Sequence, residues 1–282
     1  MKTLYLALLL AASAAHALSD SEKETLMTAA QQAYQQQDYA TALEKWQTLA
    51  ETGDAAAQYN LGNLYGKGRG VAQDYGQARA WWEKAAAQGD ADAQHNLGIL
   101  YDNGWGIAQD YGQARAWYEK SAAQGNAIAQ YNLGDLYYKG LGVPQDYAKA
   151  REWTEKSAIQ GHAAAQFNLG FLYENGQGVA QDYAQARAWY EKAAAQDDAN
   201  VQYNLGILYA NGQGVAQDYG KARASWEKAA AQGHAQAQFN LGALYYNGEG
   251  VPRDISKARE WFEKAAAQGD ESAKAALQKF GK

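Results

Sequence analysis

Few side chains in this 282-residue sequence are of the kinds that do chemistry, and those few do not converge. His95, His162 and His234 could serve as general bases or metal ligands. His162 and His234, however, recur at one position of a repeating pattern, two repeats apart, which gives neither a ligand cluster nor a base with a partner. Serines are sparse, and none stands in the Gly-x-Ser-x-Gly turn that exposes a nucleophile. Glu83 and its equivalents recur four residues after Arg79 and its equivalents, the pattern of a solvated helix face. A Gly-x-Gly-Val or Gly-x-Gly-Ile loop recurs six times, but it adjoins no strand and offers no lysine for a phosphate. Cysteine is absent, which removes thiolate metal sites and disulfide scaffolds. The expectation is no catalytic residue, no metal and no cofactor. With 25 Lys+Arg against 31 Asp+Glu the formal charge is -6, so neither nucleic acid nor an anionic membrane surface is expected as the main partner.

What the chain does hold is repetition. Asn-Leu-Gly occurs at Asn60, Asn96, Asn132, Asn168, Asn204 and Asn240, a constant step of 36 residues. Leu64-Tyr65, the loop Gly68 to Val71, Gln73 to Tyr75, and Arg79, Trp81 and Glu83-Lys84 recur with it. Six copies run from Asp54 to Gly269; upstream, Asp20 to Gly53 repeats the plan in 34 residues. Four recurring columns, those of Gly62, Gly68, Gly70 and Gly89, hold 23 of the 29 glycines, which therefore belong to repeat geometry rather than to linkers.

Each copy reads as two antiparallel helices. Ala57, Leu61, Leu64 and Tyr65 form one apolar stripe at helical spacing. Asp54, Asp90, Asn126, His162, Asp198 and His234 stand where N-caps belong, histidine being a poor one. Gly68 fits the left-handed residue that ends a helix. Asp74 caps the second helix, with Gln77 placed as in a capping box. Gly62 and its equivalents lie inside a helix, where glycine costs about 1 kcal/mol relative to alanine. Close approach of a neighbouring helix, one bearing the Trp81 or Tyr65 equivalents, is the expected reason. The adjacent aromatic columns, Trp81 with Trp117, Trp153, Trp189 and Trp261, and Trp82 with Tyr118, Tyr190, Trp226 and Phe262, are expected to fill the core rather than stack a ligand.

This 36-residue unit resembles the Sel1-like repeat, a relative of the tetratricopeptide repeat, over Asp54 to Gly269; Asp20 to Gly53 looks more like a tetratricopeptide unit. The resemblance implies an all-α fold: a right-handed superhelical α-solenoid of about seven antiparallel helix pairs plus a C-terminal capping helix. The expected divisions are a signal peptide (1–17), an N-terminal tetratricopeptide-like pair (18–53), six repeats (54–269) and the capping helix (270–282). Such proteins are in general adaptors without chemistry. A cysteine-rich branch is linked to penicillin binding and β-lactamase activity, and this chain lacks those cysteines.

The copies differ chiefly on one side of the first helix. Counting from the cap as zero, offsets two, five, nine, twelve and thirteen vary, and at 100° per residue they cluster opposite the core stripe. A helix-pair array lines its groove with first helices, so the expected partner-binding residues are Asp92, His95, Ile99, Asp102, Ile128, Tyr131, Asp135, Tyr138, Phe167, Phe171, Glu174, Tyr203, Ile207, Phe239 and Tyr246. Aromatic anchors among charges suit a protein interface. For the offset-five residues, packing between neighbouring repeats is an equal alternative. Trp105, in a loop, and Leu141 are secondary candidates.

Met1-Lys2, the apolar run Leu4 to Ala15 and Ala15-His16-Ala17 have the form of a secretory leader cut before Leu18. Removing Lys2 leaves 24 positive against 31 negative charges, a net of -7. The expected function is a non-catalytic interaction scaffold, periplasmic or secreted, without stable membrane insertion, whose partner is a protein or peptide. A sharper version, implied by the resemblance, is an immunity protein whose acidic strip neutralises a basic phospholipase toxin. The alternative class is a hydrolase acting on cell wall or β-lactams. Intact-mass measurement of the exported protein should give Leu18 as its first residue; retention of residues 1–17 would overturn the leader.

Overall fold

The computed structural model describes residues 18–279; the expected leader and residues 280–282 lie outside the described residues. Among these are fifteen helices and no strand. The first pair is α1 (Asp20–Gln35) and α2 (Tyr39–Glu51). Six pairs follow: α3 (Ala55–Lys67) with α4 (Tyr75–Ala87), α5 (Ala91–Asn103) with α6 (Tyr111–Ala123), α7 (Ala127–Lys139) with α8 (Tyr147–Ile159), α9 (Ala163–Asn175) with α10 (Tyr183–Ala194), α11 (Ala199–Asn211) with α12 (Tyr219–Ala231), and α13 (Ala235–Asn247) with α14 (Ile255–Ala267). The short α15 (Glu271–Lys279) packs on α14. The chain divides into two compact units, one ending at Ala129 and one beginning at Gln130. In both, successive helices pack on one another, α1 to α6 in the first and α8 to α15 in the second, as in a solenoid.

The helix ends follow the sequence. Asp54 Oδ1 accepts the Ala57 N–H at 2.8 Å and Asp74 Oδ1 the Gln77 N–H at 2.9 Å. Histidine caps in the same way: Nδ1 of His162 and of His234 accepts the N–H of Ala165 and of Ala237, each at 3.2 Å. Gly68 closes α3 at φ 64°. The capping box expected at Asp74 is not completed, because the Asp74 N–H donates to the Tyr65 carbonyl at 3.0 Å instead. A full box forms at Ser19 and Glu22.

The mid-helix glycines are approached by the helix that bears Trp81, as expected, and they are sockets for the rings of its next column, that of Trp82. A Cβ on Gly62 would stand 2.5 Å from the Trp82 indole, one on Gly170 2.6 Å from the Tyr190 ring, and one on Gly242 2.6 Å from Phe262. Gly98 and Gly206 receive Tyr118 and Trp226 in the same way. The Trp81 column instead lies half-buried, each ring carrying a lysine ammonium at its face: Lys84 at 3.8 Å from Trp81 and Lys192 at 3.8 Å from Trp189. Turning by 100° separates the two columns, and only one can point at the partner helix.

Repeats are joined by buried amides. Gln58 donates to the Ala50 carbonyl of the preceding second helix at 3.1 Å and accepts from Gln88 at 2.8 Å. The same pair recurs as Gln94 with Gln124, Gln130 with Gln160, Gln166 with Gln196, Gln202 with Gln232, and Gln238 with Gln268. Each buried donor and acceptor is thereby satisfied, which keeps a polar side chain tolerable in the core.

The offset-five residues also pack. His95 lies 5.9 Å from Tyr118, Phe167 5.4 Å from Tyr190 and Phe239 5.4 Å from Phe262, while Tyr131 and Tyr203 face the capping rings of His162 and His234 at 4.9 and 4.6 Å. His95, expected on the binding strip, is only 8% exposed and is corrected to a core residue. Burial disfavours its charged form and pushes its pKa down to about 4, against a smaller opposing effect of Asn96.

Two outcomes follow from this packing. Gly170→Ala should lower stability by about 1–3 kcal/mol through overpacking on Tyr190, although alanine is the better helix former by about 1 kcal/mol; urea denaturation measures the net effect. The unfolded His95 takes up a proton near its ordinary 6.5 and the folded one only near 4. Its contribution is therefore whole above pH 6.5 and shrinks as the pH falls toward 4, by about 3 kcal/mol. His95→Phe, which copies Phe167, should flatten that part of the stability–pH curve; an unchanged slope would contradict the assignment.

Candidate functional site

In the N-terminal unit, the varied face of α5 and the following loop make one site. Ile99 and Trp105, expected as separate contacts, line a single pocket of about 480 Å³ together with Tyr59, Tyr75, Trp82, Lys67 and Arg69. Trp105 is stacked on Tyr75, with ring centroids 5.4 Å apart, and remains 45% exposed. Gly106, at φ 67°, brings the loop against Tyr75, where a Cβ would stand 2.7 Å from the Tyr75 Cβ. That contact with the preceding repeat explains why an indole in a loop is held in one place. Trp82 turns its indole N–H inward, buried and without a hydrogen-bond partner. Ile128 is 48% exposed at the start of α7.

In the C-terminal unit a second pocket, of about 340 Å³, opens between α7 and α9. Tyr138, Asp135, Phe167 and Phe171, four of the expected contacts, meet around it. Phe171 is exposed, and Tyr138 is half-buried and tilted on Tyr147 at 5.3 Å. The floor is Gly134, Ala150 and Thr154, and Asn168 and Asn204 supply amides. Farther along, Tyr203 and Ile207 lie half-buried against the core, while Tyr246 is exposed, with the Arg253 guanidinium 5.5 Å from its ring. Leu141 is half-buried.

The acids of the strip are already engaged. Asp102 accepts the Tyr118 hydroxyl at 3.0 Å and Glu174 accepts that of Tyr190 at 2.7 Å. Burial, together with Glu174, pushes the Tyr190 phenol well above the usual tyrosine range, so it stays a donor. Asp135 holds Lys139 at 2.8 Å, and Asp92 accepts from Asn126 at 2.8 Å. These carboxylates are structural partners before they are a field for an incoming cation. Desolvation likewise holds His162 and His234 below their ordinary pKa, which suits caps that accept through Nδ1. Among the described residues no group of three or more histidines and carboxylates is placed to hold a metal, and no helix is long and apolar enough to cross a membrane.

Two features escaped the sequence reading. Thr154 occupies the ring column, and the column itself was the signal: five rings and one threonine. Gln58 and its equivalents were visible as a constant polar position, but a glutamine at constant spacing says nothing of burial until its partners, for Gln58 the Ala50 carbonyl and the Gln88 amide, are in place.

The family model for the Sel1 repeat matches residues 55–90, 91–126, 127–162, 163–198, 199–234 and 235–270. Among solved structures, a protective antigen of uropathogenic Escherichia coli displaying an SLR fold is 38% identical with a TM-score of 0.81. The match covers 85% of this chain and 51% of that one, so the chain spans about half the length of that relative. A Sel1 repeat protein from Oxalobacter formigenes is 32% identical with a TM-score of 0.73, over 85% of this chain and 96% of that one. An immunity protein from Pseudomonas aeruginosa, 24% identical with a TM-score of 0.42 over 76% of this chain and 81% of that one, is too distant to bear on function. A search of the curated proteins finds no match. Six contiguous matches to one repeat, carried by helix pairs closed on glycine sockets, place this chain in the Sel1 repeat family.

Proposed function

We propose that this chain is a non-catalytic scaffold that holds a protein or peptide against the varied edges of its first helices, in an extracytoplasmic compartment. The observation that carries this reading is the exposure of large apolar side chains at positions where the copies differ: Ile128 at 48%, Phe171 at 37%, Tyr246 at 39% and Trp105 at 45%. Side chains of this kind are scattered singly on most surfaces, but here two of them border concave pockets, the setting in which apolar exposure serves binding. The compartment rests on the leader pattern of residues 1–17.

The reading does not require a basic partner. Asp135 is neutralised by Lys139, while Asp92, Asp102 and Glu174 accept from neutral donors and keep their negative charge, so the strip retains only part of the field an immunity role against a basic catalytic cleft would use. The hydrolase alternative needs a base, and the three described histidines are committed, His95 to the core and His162 and His234 to caps.

Phe171→Ala combined with Tyr138→Ala should abolish crosslinked capture of the partner from the exported fraction while leaving the helical circular-dichroism signal intact. Gln185→Ala, on α10, should leave capture unchanged. Equal capture by wild type and a folded double variant would overturn the assignment.

A further inference from the structure

Five of the six repeats close with a ring on a glycine, and the third does not. Trp82, Tyr118, Tyr190, Trp226 and Phe262 sit on Gly62, Gly98, Gly170, Gly206 and Gly242; in the third repeat the glycine remains as Gly134, yet the ring is replaced by Thr154. A Cβ on Gly134 would meet the threonine hydroxyl at 2.7 Å, the Ala150 carbonyl oxygen at 3.2 Å and the Thr154 backbone nitrogen at 3.3 Å, and no ring among these. The 340 Å³ pocket lies at this place, floored by Gly134, Ala150 and Thr154. The sister ring shows what fits there: Trp82 lies against Gly62, Gly66 and Ala78, whose third-repeat equivalents are Gly134, Tyr138 and Ala150, all lining the pocket. Tyr138 does not swing in to fill the gap, being tilted on Tyr147 at 5.3 Å.

We infer that this pocket is a socket for an aromatic side chain supplied from outside, a neutral Trp, Tyr or Phe projecting from a bound protein and seated on Gly134 where the sister repeats seat their own. The inference rests on the interaction reading above and names the chemistry of its anchor. Charge favours a neutral occupant over an ionic one. The charged pair at the rim, Asp135 and Lys139, is closed on itself at 2.8 Å and leaves no net charge for an ionic side chain to meet. Phe171, exposed beside the opening, supplies a second apolar wall. A cavity with apolar walls and no ring to fill it has a standing affinity for a flat apolar group of matching size.

The test uses the mature full-length chain and N-acetyl-L-tryptophanamide as the probe, with N-acetyl-L-leucinamide as the aliphatic control, read by ligand-observed NMR. Wild type should bind the tryptophan probe with a Kd on the order of millimolar, as befits a small isolated fragment, and the leucine probe distinctly more weakly. Thr154→Trp, which places the sister side chain in the socket from within, should weaken probe binding about tenfold, a loss of about 1.4 kcal/mol, and raise the melting temperature. Thr154→Ala, which leaves the space open, should bind the probe as wild type does. This second variant keeps the test decisive if the tryptophan variant folds poorly. Undiminished binding to a folded Thr154→Trp, or absence of binding to wild type, would overturn the socket. If the probe fails while capture through Phe171 and Tyr138 persists, the socket falls and the interaction reading stands. If the probe binds while capture is insensitive to those residues, the reverse holds.

Discussion

Everything in this molecule hangs on how closely two short helices approach. Thirteen-residue helices are marginal on their own, and six of them carry a mid-helix glycine that makes them weaker still. The glycine is tolerated because it lets the ring of the second helix rest on bare backbone, turning a local cost into buried aromatic contact. Stability is thus a property of neighbours, and the fold is a sum of pair closures and repeat junctions rather than one central core. The junctions are polar where the closures are apolar: Gln58, Gln94, Gln166 and Gln238 each tie a first helix to the carbonyl of Ala50, Ala86, Ala158 or Ala230 before it and to the amide of Gln88, Gln124, Gln196 or Gln268 after it.

Much of this was legible in the sequence, because period, caps and left-handed glycines are local signals. The 36-residue step fixed the pairs, Asp54 and Asp74 marked helix starts, and Gly68 marked an end. What escaped was the direction of side chains that local pattern cannot distinguish. Trp81 and Trp82 are adjacent, both aromatic, and both recur; which faces Gly62 depends on the rotation of a helix set by tertiary contact. Sequence reasoning named the helix and not the ring. It likewise read Gln77 as half of a box, and lost to a backbone bond from Asp74 to Tyr65 that spans the loop.

The candidate site was legible as a face and illegible as a surface. Variation among the copies pointed to one side of the first helix, where Ile128, Phe171 and Tyr246 are exposed. Variation does not report accessibility, however. At offset five the side chain abuts a ring or a capping histidine, so His95 vanishes into the core while Phe167 keeps only an edge at the pocket. Burial at that column is decided by a residue some twenty positions away, information no local window contains.

That dependence runs further, and it limits how freely the outer face can change. The offset-twelve residue and the seated ring of the same repeat are matched. Asp102 and Glu174, the two acids, stand over Tyr118 and Tyr190 and take their hydroxyl protons in hydrogen bonds. Gly66 and Ala210, the two small residues, accompany the large indoles Trp82 and Trp226, and the Trp82 ring reaches Gly66 closely enough that a Cβ there would lie 3.0 Å away. The tyrosines Tyr138 and Tyr246 accompany Thr154 and Phe262, neither of which carries a ring hydroxyl. An acid placed over a Phe would have no donor, and a Tyr under a small apolar residue would bury an unsatisfied hydroxyl, at a cost of about 1–3 kcal/mol. Offset twelve is therefore half surface and half core. Its diversity records which side chain lies beneath it, whereas Ile128 at offset two and Phe171 at offset nine stand exposed.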